Sequence, residues 1–417
     1  MAESTQLPKY CRGRSVIQRG SPVPGRQYRR DAVNPDPSAA HSALRETVRE
    51  FAETVVRPLA ADVDRNHRFP AEAVAGARDR GLLGVLVPSA YGGAGLDHLA
   101  FVTCIEELAR ACASTAVIVD VHASVATEPI VLFGSEAQKR AWLPRLASGE
   151  VLGAFALTEP GSGSDAAALK TTARRLRDEW VLSGTKTFIS NAGLAGLYIL
   201  FARTNDAPGA RGVSAFLVPG DAPGLQAGPP FDKMGLNGSP TCELVLEEVR
   251  VPAGALLHEE GRGFRVAMRA LDSGRIGISG QALGIATAAL QEAVACVGAD
   301  GAAASAAGGG AAAGDEQGVQ FLLADMQTSL TAARQLTYHA AARCDAGLPF
   351  TRDAAMAKLF STDAAMAISG DAVQLAGDAG ATEQLPCERH FRDAKALQIY
   401  EGSNQVQRVV IAREMLG

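Results

Sequence analysis

The stretch IYEGSNQ near the end of the chain places one carboxylate, Glu401, between an aromatic residue and a glycine. Such a carboxylate can act as a general base when a dry environment makes it basic enough to take a proton. It also precedes the apolar pattern of a terminal helix, whose positive N-terminal end favours a nearby negative charge. Taken alone, the stretch favours this helix-capping role over the catalytic one.

The loop LTEPGSGSD, residues 157–165, is a second place where chemistry could occur. Its small and hydroxyl residues let a backbone approach a ligand and donate hydrogen bonds to an oxyanion or a ring carbonyl. A plain turn is the simpler explanation of the same composition. Since no G-x-G-x-x-G closes an N-terminal βαβ unit, a Rossmann cofactor site is not indicated.

Two further segments combine residue types that could contact a ligand. In TKTFISN, Phe188 and Ser190 flank Ile189, so a regular strand would present the ring and the hydroxyl on one face, although core packing is the usual role of such an aromatic. In LDSGRIGISGQALG, Asp272 and Arg275 can pair on one helix face, ordinarily as a surface ion pair. The small residues after them predict close approach of another helix or a ligand.

Composition excludes several classes of protein. A chain of 417 residues that is 47% hydrophobic exceeds one core and predicts two or three packed units. No uninterrupted apolar run approaches the ~18 residues that cross a bilayer, and the start lacks the apolar core of a secretory signal. Seven cysteines without C-x-x-C pairs indicate neither a disulfide framework nor a metal site, and a net charge of −5 offers nucleic acid no general attraction. We therefore expect a cytoplasmic protein.

The hydrophobic pattern divides the chain into four parts. Residues 1–40 are basic and rich in Pro, Gly and Ser, which favours a disordered arm. The less favoured alternative is a transit peptide for the mitochondrial matrix. Helical spacing fills residues 41–150, short β-rich runs predict an antiparallel β-domain over 151–255, and helical spacing returns over 256–417. An Ala/Gly stretch at 298–314 predicts a mobile linker within the last part. The expected fold is mainly α with a central β-domain.

Together, the ordered segments YGGAGLD, EELARACAST, ALTEPGSGSD, TKTFISNAG, KMGLNGSPTCELVLEEVRVP, LDSGRIGISGQALGIA and IYEGSNQVQR resemble the acyl-CoA dehydrogenase family, closest to its short-chain, butyryl-type branch. The resemblance implies an N-terminal helical domain, a β-domain and a C-terminal four-helix bundle, assembled as a homotetramer or homodimer. It implies FAD as cofactor and α,β-dehydrogenation of an acyl thioester, with an electron-transfer flavoprotein as acceptor.

The same resemblance assigns roles to single residues. Glu401 would be the base that removes the α-proton, and Gly274 stands where some branches of the family place theirs. The substrate contacts would be Asp272, Arg275 and Gly402. The FAD contacts would be Phe155, Leu157, Thr158, Gly163, Ser164, Phe188, Ile189, Ser190, Gln317, Gln374, Gly377, Ser403, Asn404 and Gln405.

Three departures from the family pattern affect this expectation. No Lys or Arg occurs between Arg275 and Arg334, so the arginine that reaches the FAD pyrophosphate of a neighbouring subunit is missing. Asp378 adds a negative charge near a phosphate position, and we expect weaker FAD binding. His122 and Glu128 stand where an acyl pocket wall is usually apolar or small, unless both are exposed.

The substrate therefore has two candidate carriers, coenzyme A and an acyl carrier protein in a biosynthetic pathway. An alternative of another class is a member of the family with little FAD that acts as a thioester-binding or scaffolding protein without catalysis.

Overall fold

The computed structural model describes residues 33–306 and 313–417, without side chains at 299–306 and 313. Most of the predicted N-terminal arm, residues 1–32, lies outside the described part. The first helices pack around their own apolar core, which includes Phe51, Phe101 and Ile105. They are α1 (Ala39–Phe51), α2 (Arg57–Arg65), α3 (Ala71–Asp79), α4 (His98–Ala111), α5 (Ala113–Asp120), α6 (Glu128–Phe133) and α7 (Glu136–Ala147), with π-helical turns at Ala52–Val56 and Val121–Thr127.

Side-chain caps fix where several of these helices begin. Ser38 and His41 form a capping box at the start of α1, and Asp97 accepts the Ala100 N–H at 2.8 Å at the start of α4. Ser135 and Gln138 form a second capping box on α7. Each cap satisfies amide groups that the first helical turn leaves without a partner.

The middle of the chain forms one eight-stranded sheet. Its spatial order is β6-β7-β3-β2-β4-β5-β8, with β1 paired to β4. Because β4 runs parallel to β1 and β2 while the other pairs are antiparallel, the sheet is mixed, and the predicted antiparallel β-domain is corrected in this detail. The strands are β1 (Gly153–Ala156), β2 (Thr172–Leu176), β3 (Glu179–Ser190), β4 (Leu197–Arg203), β5 (Val213–Pro219), β6 (Leu225–Ala227), β7 (Thr241–Pro252) and β8 (Leu256–Leu257).

The C-terminal part is helical, as predicted. The predicted linker is wrong at its start, because α8 continues unbroken through Gly298 to Ala306; residues 307–312 lie outside the described part. Alanine favours a helix enough to offset the interspersed glycines. The helices are α8 (Gly263–Ala306), α9 (Gln317–Asp345), α10 (Thr351–Leu375), α11 (Gly377–Gly380), α12 (Cys387–Leu397) and α13 (Asn404–Leu416).

A row of glycines on α8 brings neighbouring groups against its backbone. A Cβ at Gly284 would lie 2.3 Å from the Glu106 carbonyl oxygen, and one at Gly280 would lie 3.1 Å from that of Val102. Both carbonyls belong to α4, so the predicted close approach of another helix is confirmed. The same row continues toward the N-terminus of α8, where it meets side chains instead of backbone.

Two helical stretches, Ala113–Phe133 and Gly263–Gly298, are long and apolar enough to span a bilayer by length and composition. Their apolar windows are 83% and 67% buried inside the protein, as in a core helix. They are weak evidence for a membrane span.

Hydrogen bonds join the sheet to the helices on both sides of it. The Asn191 side chain, at the end of β3, donates to the carbonyls of Ile118 in α5 and Gly153 in β1. On the other side, the Asp393 carboxylate of α12 accepts the Leu236 N–H at 2.6 Å. The end of β3 is thereby fixed to α5, and the segment before β7 is fixed to α12.

An ion pair inside the sheet holds the loop after β1. Lys186 is fully buried, and its Nζ lies 2.8 Å from the Glu159 carboxylate and 3.1 Å from the Leu157 carbonyl. Glu159 also accepts the N–H groups of Lys170 and Thr171. A buried carboxylate with this many donors fixes the backbone around it.

Lys186→Met should destabilise the protein by about 3–5 kcal/mol, because it leaves the Glu159 carboxylate buried without its cation. The free energy of unfolding in urea measures this loss. Lys170→Met, at an exposed lysine, is the control and should change the same quantity by less than about 0.5 kcal/mol. Equal effects of the two substitutions would show that the buried pair does not stabilise the loop.

Candidate active site

Glu401 lies in the turn between α12 and α13, in a conformation that non-glycine residues rarely adopt. Its φ is 51° and that of Gly402 is 93°. A non-glycine residue in the left-handed region, such as Glu401, costs free energy and persists where surrounding contacts impose it, often at functional sites, whereas glycine adopts this region without strain. The cap of α13 is Ser403, whose hydroxyl accepts the Val406 N–H. Ser403, and not Glu401, therefore caps α13.

The Glu401 carboxylate lies against helix α8 at Gly274. A Cβ at Gly274 would be 2.1 Å from Glu401 Oε2 and 2.8 Å from Val125 Cγ1, so only glycine leaves room for the carboxylate there. Glu401 Oε2 is buried and has no hydrogen-bond partner among the described residues. Some branches of the family place their base at the position of Gly274, next to Arg275. Here the Glu401 carboxylate reaches the same place from another part of the sequence.

Lys358 holds the turn in place, and the sequence analysis missed it. It is fully buried in α10, and its Nζ donates to the Gly402 carbonyl and to Asn404 Oδ1, both at 2.9 Å. Gln407 Nε2 donates to the same Gly402 carbonyl at 2.8 Å. The signal was available, since Lys358 is the one charged residue in the apolar run AAMAKLFST.

Burial makes Glu401 more basic than an ordinary carboxylate. It raises the Glu401 pKa to about 7, although the nearby charges of Arg275 and Lys358 oppose the rise. Burial also lowers the Lys358 pKa to about 7. A carboxyl group with a pKa near neutrality is suited to taking a proton and releasing it again.

Asp272 and Arg275 form a buried pair, so the surface explanation is wrong. Arg275 is 4% exposed, and its Nη1 lies 2.6 Å from Asp272 Oδ1. Thr351 Oγ1 donates to the other Asp272 oxygen at 2.6 Å, which joins the pair to the start of α10. Arg275 Nη2 lies 3.8 Å from the Cβ position of Gly402, so the guanidinium lies beside the Glu401 turn.

Asp120 is a second carboxyl group in this region, and the sequence analysis missed it as well. It is fully buried at the end of α5, and a Cβ at Gly277 would lie 2.0 Å from its Oδ1. Burial raises the Asp120 pKa well above its usual range, and the charge of Glu401 adds to the rise. An acidic residue in the otherwise apolar run STAVIVDVHAS was the available signal.

The expected alternation of Phe188 and Ser190 is interrupted. The pairing of β3 with β7 shifts register between Lys186 and Ile189, and Phe188 has a φ of 55°. Its ring is 65% exposed and lies against Phe231 with the centroids 4.9 Å apart. The core-packing explanation of Phe188 is therefore wrong, and the bulge turns the aromatic ring outward.

The loop after β1 lies beside this bulge. The Thr187 N–H donates to the Thr158 carbonyl at 2.9 Å, and Thr158 and Ser190 are both half-buried. Ile189 is in the sheet core and can reach a ligand through its backbone only. Phe155 packs against both the helical bundle and the sheet. Together these residues form a surface with one exposed aromatic ring and several polar groups.

The other predicted cofactor residues are spread over the molecule. Leu157 is buried, Asn404 is buried and bonded to α10, and Ser403 caps α13. Of the remaining six, five are exposed outside the cluster around Glu401, at loop or helix ends: Gly163, Ser164, Gln317, Gln374 and Gly377. Gln405 is also exposed, in the first turn of α13. Their FAD contacts stay predictions.

His122 and Glu128 are buried, so the explanation by exposed helix positions is wrong. His122 accepts the Gly153 N–H and donates to the Leu146 carbonyl, and burial lowers its pKa to about 4. Glu128 pairs with His98 at 3.2 Å and Arg269 at 3.4 Å. Both side chains are held by structural partners.

Comparison with known proteins identifies the family. Models of the acyl-CoA dehydrogenase N-terminal, middle and C-terminal domains match residues 38–150, 154–249 and 261–416. The chain is 46% identical over 415 residues to a short-chain specific acyl-CoA dehydrogenase, mitochondrial, of Bos taurus, which covers 99% of this chain and 98% of the relative. The chain belongs to the acyl-CoA dehydrogenase family.

Solved structures agree with this assignment. Butyryl-CoA dehydrogenase from Megasphaera elsdenii superposes with a TM-score of 0.88 at 39% identity, covering 92% of this chain and 99% of that one. The prolyl acyl carrier protein oxidase AnaB superposes with a TM-score of 0.86 at 29% identity, covering 91% and 100%. The predicted family, fold class and oxidoreductase class are confirmed, and the roles of single residues stay predictions.

Gly274→Ala should displace the Glu401 carboxylate, because the new methyl group would overlap Oε2. A shift of about 1 Å in a reacting group can lower a catalytic rate about 100-fold. The rate of flavin reduction by a short acyl-CoA measures the effect. Gly318→Ala is the matched control, since its Cβ meets nothing within 4 Å on helix α9. A fully active Gly274→Ala variant would contradict the placement of Glu401.

Proposed function

We propose that this protein is a FAD-dependent dehydrogenase that converts a short acyl thioester to the 2-enoyl thioester, with Glu401 as the base. One observation carries the proposal: Glu401 Oε2 is buried without a hydrogen-bond partner among the described residues, and burial raises the Glu401 pKa to about 7. Packing between helices does not require a buried carboxylate without a hydrogen-bond partner. Removal of an α-proton requires a free and basic carboxylate.

The turn also supplies a donor for the thioester. No hydrogen bond of the described residues uses the Glu401 backbone N–H. This N–H is free to donate to the thioester carbonyl, which acidifies the α-carbon as negative charge develops on the oxygen. Gly402 has no side chain to obstruct the approach. Lys358 fixes the donor by binding the Gly402 carbonyl.

The surface near the β3 bulge fits a flavin. Phe188 offers an exposed ring for a planar group, Thr158 and Ser190 offer hydroxyls, and a Cβ at Gly163 would meet nothing within 4 Å. These residues would hold FAD, which when bound accepts the hydride from the β-carbon of the substrate. The side chains contribute binding and orientation, and Glu401 takes the proton.

The partners follow from the family resemblance, and the location follows from the composition. The substrate is an acyl thioester of coenzyme A, or of an acyl carrier protein in a biosynthetic pathway. An electron-transfer flavoprotein receives the electrons. The exposed residues Gln317, Gln374 and Gly377 are available to the FAD of a neighbouring subunit in a homotetramer or homodimer. The protein acts in the cytoplasm.

Glu401→Gln should lower the rate of flavin reduction by a factor of about 10²–10⁴, because the amide cannot accept the α-proton. In the unaltered protein, kcat/KM should rise with pH and level off above about 7, since the base works only when ionised and its pKa is raised to that value.

Anaerobic bleaching of the flavin spectrum by butyryl-CoA measures the first effect. Glu46→Gln, at an exposed glutamate of α1, is the control. Unchanged bleaching in Glu401→Gln would exclude Glu401 as the base.

FAD affinity is the point on which the non-catalytic alternative depends. With no Lys or Arg in residues 276–333 and an exposed Asp378, we expect FAD to be lost on dialysis. Asp378→Asn should tighten FAD binding about fivefold, the scale of ~1 kcal/mol for two charges ~4 Å apart in water.

Fluorescence titration with FAD gives both dissociation constants, and Asp178→Asn, at an exposed aspartate between β2 and β3, is the control. Stoichiometric FAD retained through dialysis would contradict the expected weak binding. A protein that takes up no FAD at all would support the thioester-binding alternative.

A further inference from the structure

Asp120 is a buried carboxyl group that the proposed reaction does not use. Its Oδ1 accepts the Ser124 hydroxyl at 2.8 Å, and its Oδ2 is buried with no partner among the described residues. An unpartnered buried oxygen costs free energy unless a ligand or a functional role compensates. The group therefore calls for an explanation beyond packing.

The carboxyl groups of Asp120 and Glu401 both lie against the same face of α8, about one helical turn apart. Asp120 Oδ1 is 2.0 Å from the Cβ position of Gly277, and Glu401 Oε2 is 2.1 Å from that of Gly274. Helix positions three apart have Cβ atoms ~5–6 Å apart. A substrate with its α-carbon at Glu401 would thus have the atoms two or three bonds further along the acyl chain near Asp120. Val125 Cγ1 lies 2.8 Å from the Gly274 Cβ position, so an apolar group lies beside this region.

The charges around the two carboxyl groups differ. Arg275 and Lys358 both lie near Glu401 and favour its ionised form. The groups that act on Asp120 are Glu401, which repels a second negative charge, and the neutral Ser124 hydroxyl. Two carboxyl groups this close in a dry site do not both ionise. Asp120 therefore keeps its proton, and its free Oδ2 can carry a hydroxyl hydrogen to donate.

We propose that Asp120 selects the substrate, by donating a hydrogen bond from Oδ2 to an oxygen on the γ-carbon of the acyl chain. The preferred substrate is then a short acyl thioester with a γ-hydroxyl or other γ-oxygen, and an unsubstituted butyryl chain leaves Asp120 without its partner. A cationic amine fits less well, because Arg275 and Lys358 already supply positive charge beside this space. This inference rests on the proposed dehydrogenase function and narrows its substrate class.

The test compares freshly prepared 4-hydroxybutyryl-CoA with butyryl-CoA on the full-length protein loaded with FAD, by anaerobic flavin bleaching and by steady-state kcat/KM with a dye acceptor. A site built to bond a hydroxyl discriminates strongly against the analogue that lacks it. We expect the unaltered protein to prefer the hydroxylated thioester at least tenfold. Asp120→Ala should remove that preference, whereas Asp120→Asn, which keeps a donor of the same shape, should retain most of it.

A purely structural Asp120 would change both substrates alike and leave their ratio unaltered, so an unaltered ratio in Asp120→Ala overturns the inference. Equal or better use of butyryl-CoA by the unaltered protein overturns it without any variant and leaves the dehydrogenase function standing. Bleaching by neither thioester would refute the proposed function, and the inference would fall with it.

Discussion

The site depends on one steric constraint, the absence of a side chain at Gly274. Because α8 is bare there, a carboxylate from a distant turn can lie directly against the helix backbone, out of water. Burial then raises its pKa toward neutrality without any special hydrogen bond. The glycines at Gly280 and Gly284 serve packing on α4, whereas Gly274 and Gly277 receive carboxyl groups. Along a single helix, one row of glycines thus packs against α4 at one end and makes room for carboxyl groups at the other.

Keeping such a carboxylate in place requires an anchor that does not neutralise it permanently. Lys358 meets this need because its ammonium group binds the Gly402 carbonyl and Asn404, not the Glu401 carboxylate. Its charge favours ionised Glu401 through space, while Glu401 Oε2 stays free of hydrogen bonds. The strained backbone at Glu401 is compatible with this role, since a fixed Gly402 carbonyl holds a conformation that the chain would otherwise leave.

The sheet gives rigid support to the loop after β1 and to the bulge of β3. Lys186 and Glu159 hold the loop after β1 from within, and Asn191 joins the end of β3 to the helices. The bulge between them turns Phe188 outward. An aromatic ring on a rigid edge loses little conformational entropy when it binds a planar group. The fold thereby brings the proposed cofactor surface and the proposed base from elements that are far apart in sequence.

The sequence by itself determined the order of helices, sheet and helices, because periodicity and turn residues are local properties. It also determined the family, through motifs in order along the chain, and it predicted Glu401 as the base. Only the tertiary structure decided that Asp272 and Arg275 are buried, that Phe188 is exposed and that α8 continues to Ala306. Lys358 contacts Gly402, more than 40 positions away, and Asp120 contacts Gly277, more than 150 positions away. Their proposed roles depend on these contacts. A single charge in an apolar run marks such a residue in the sequence, but its partner is set by packing across the fold.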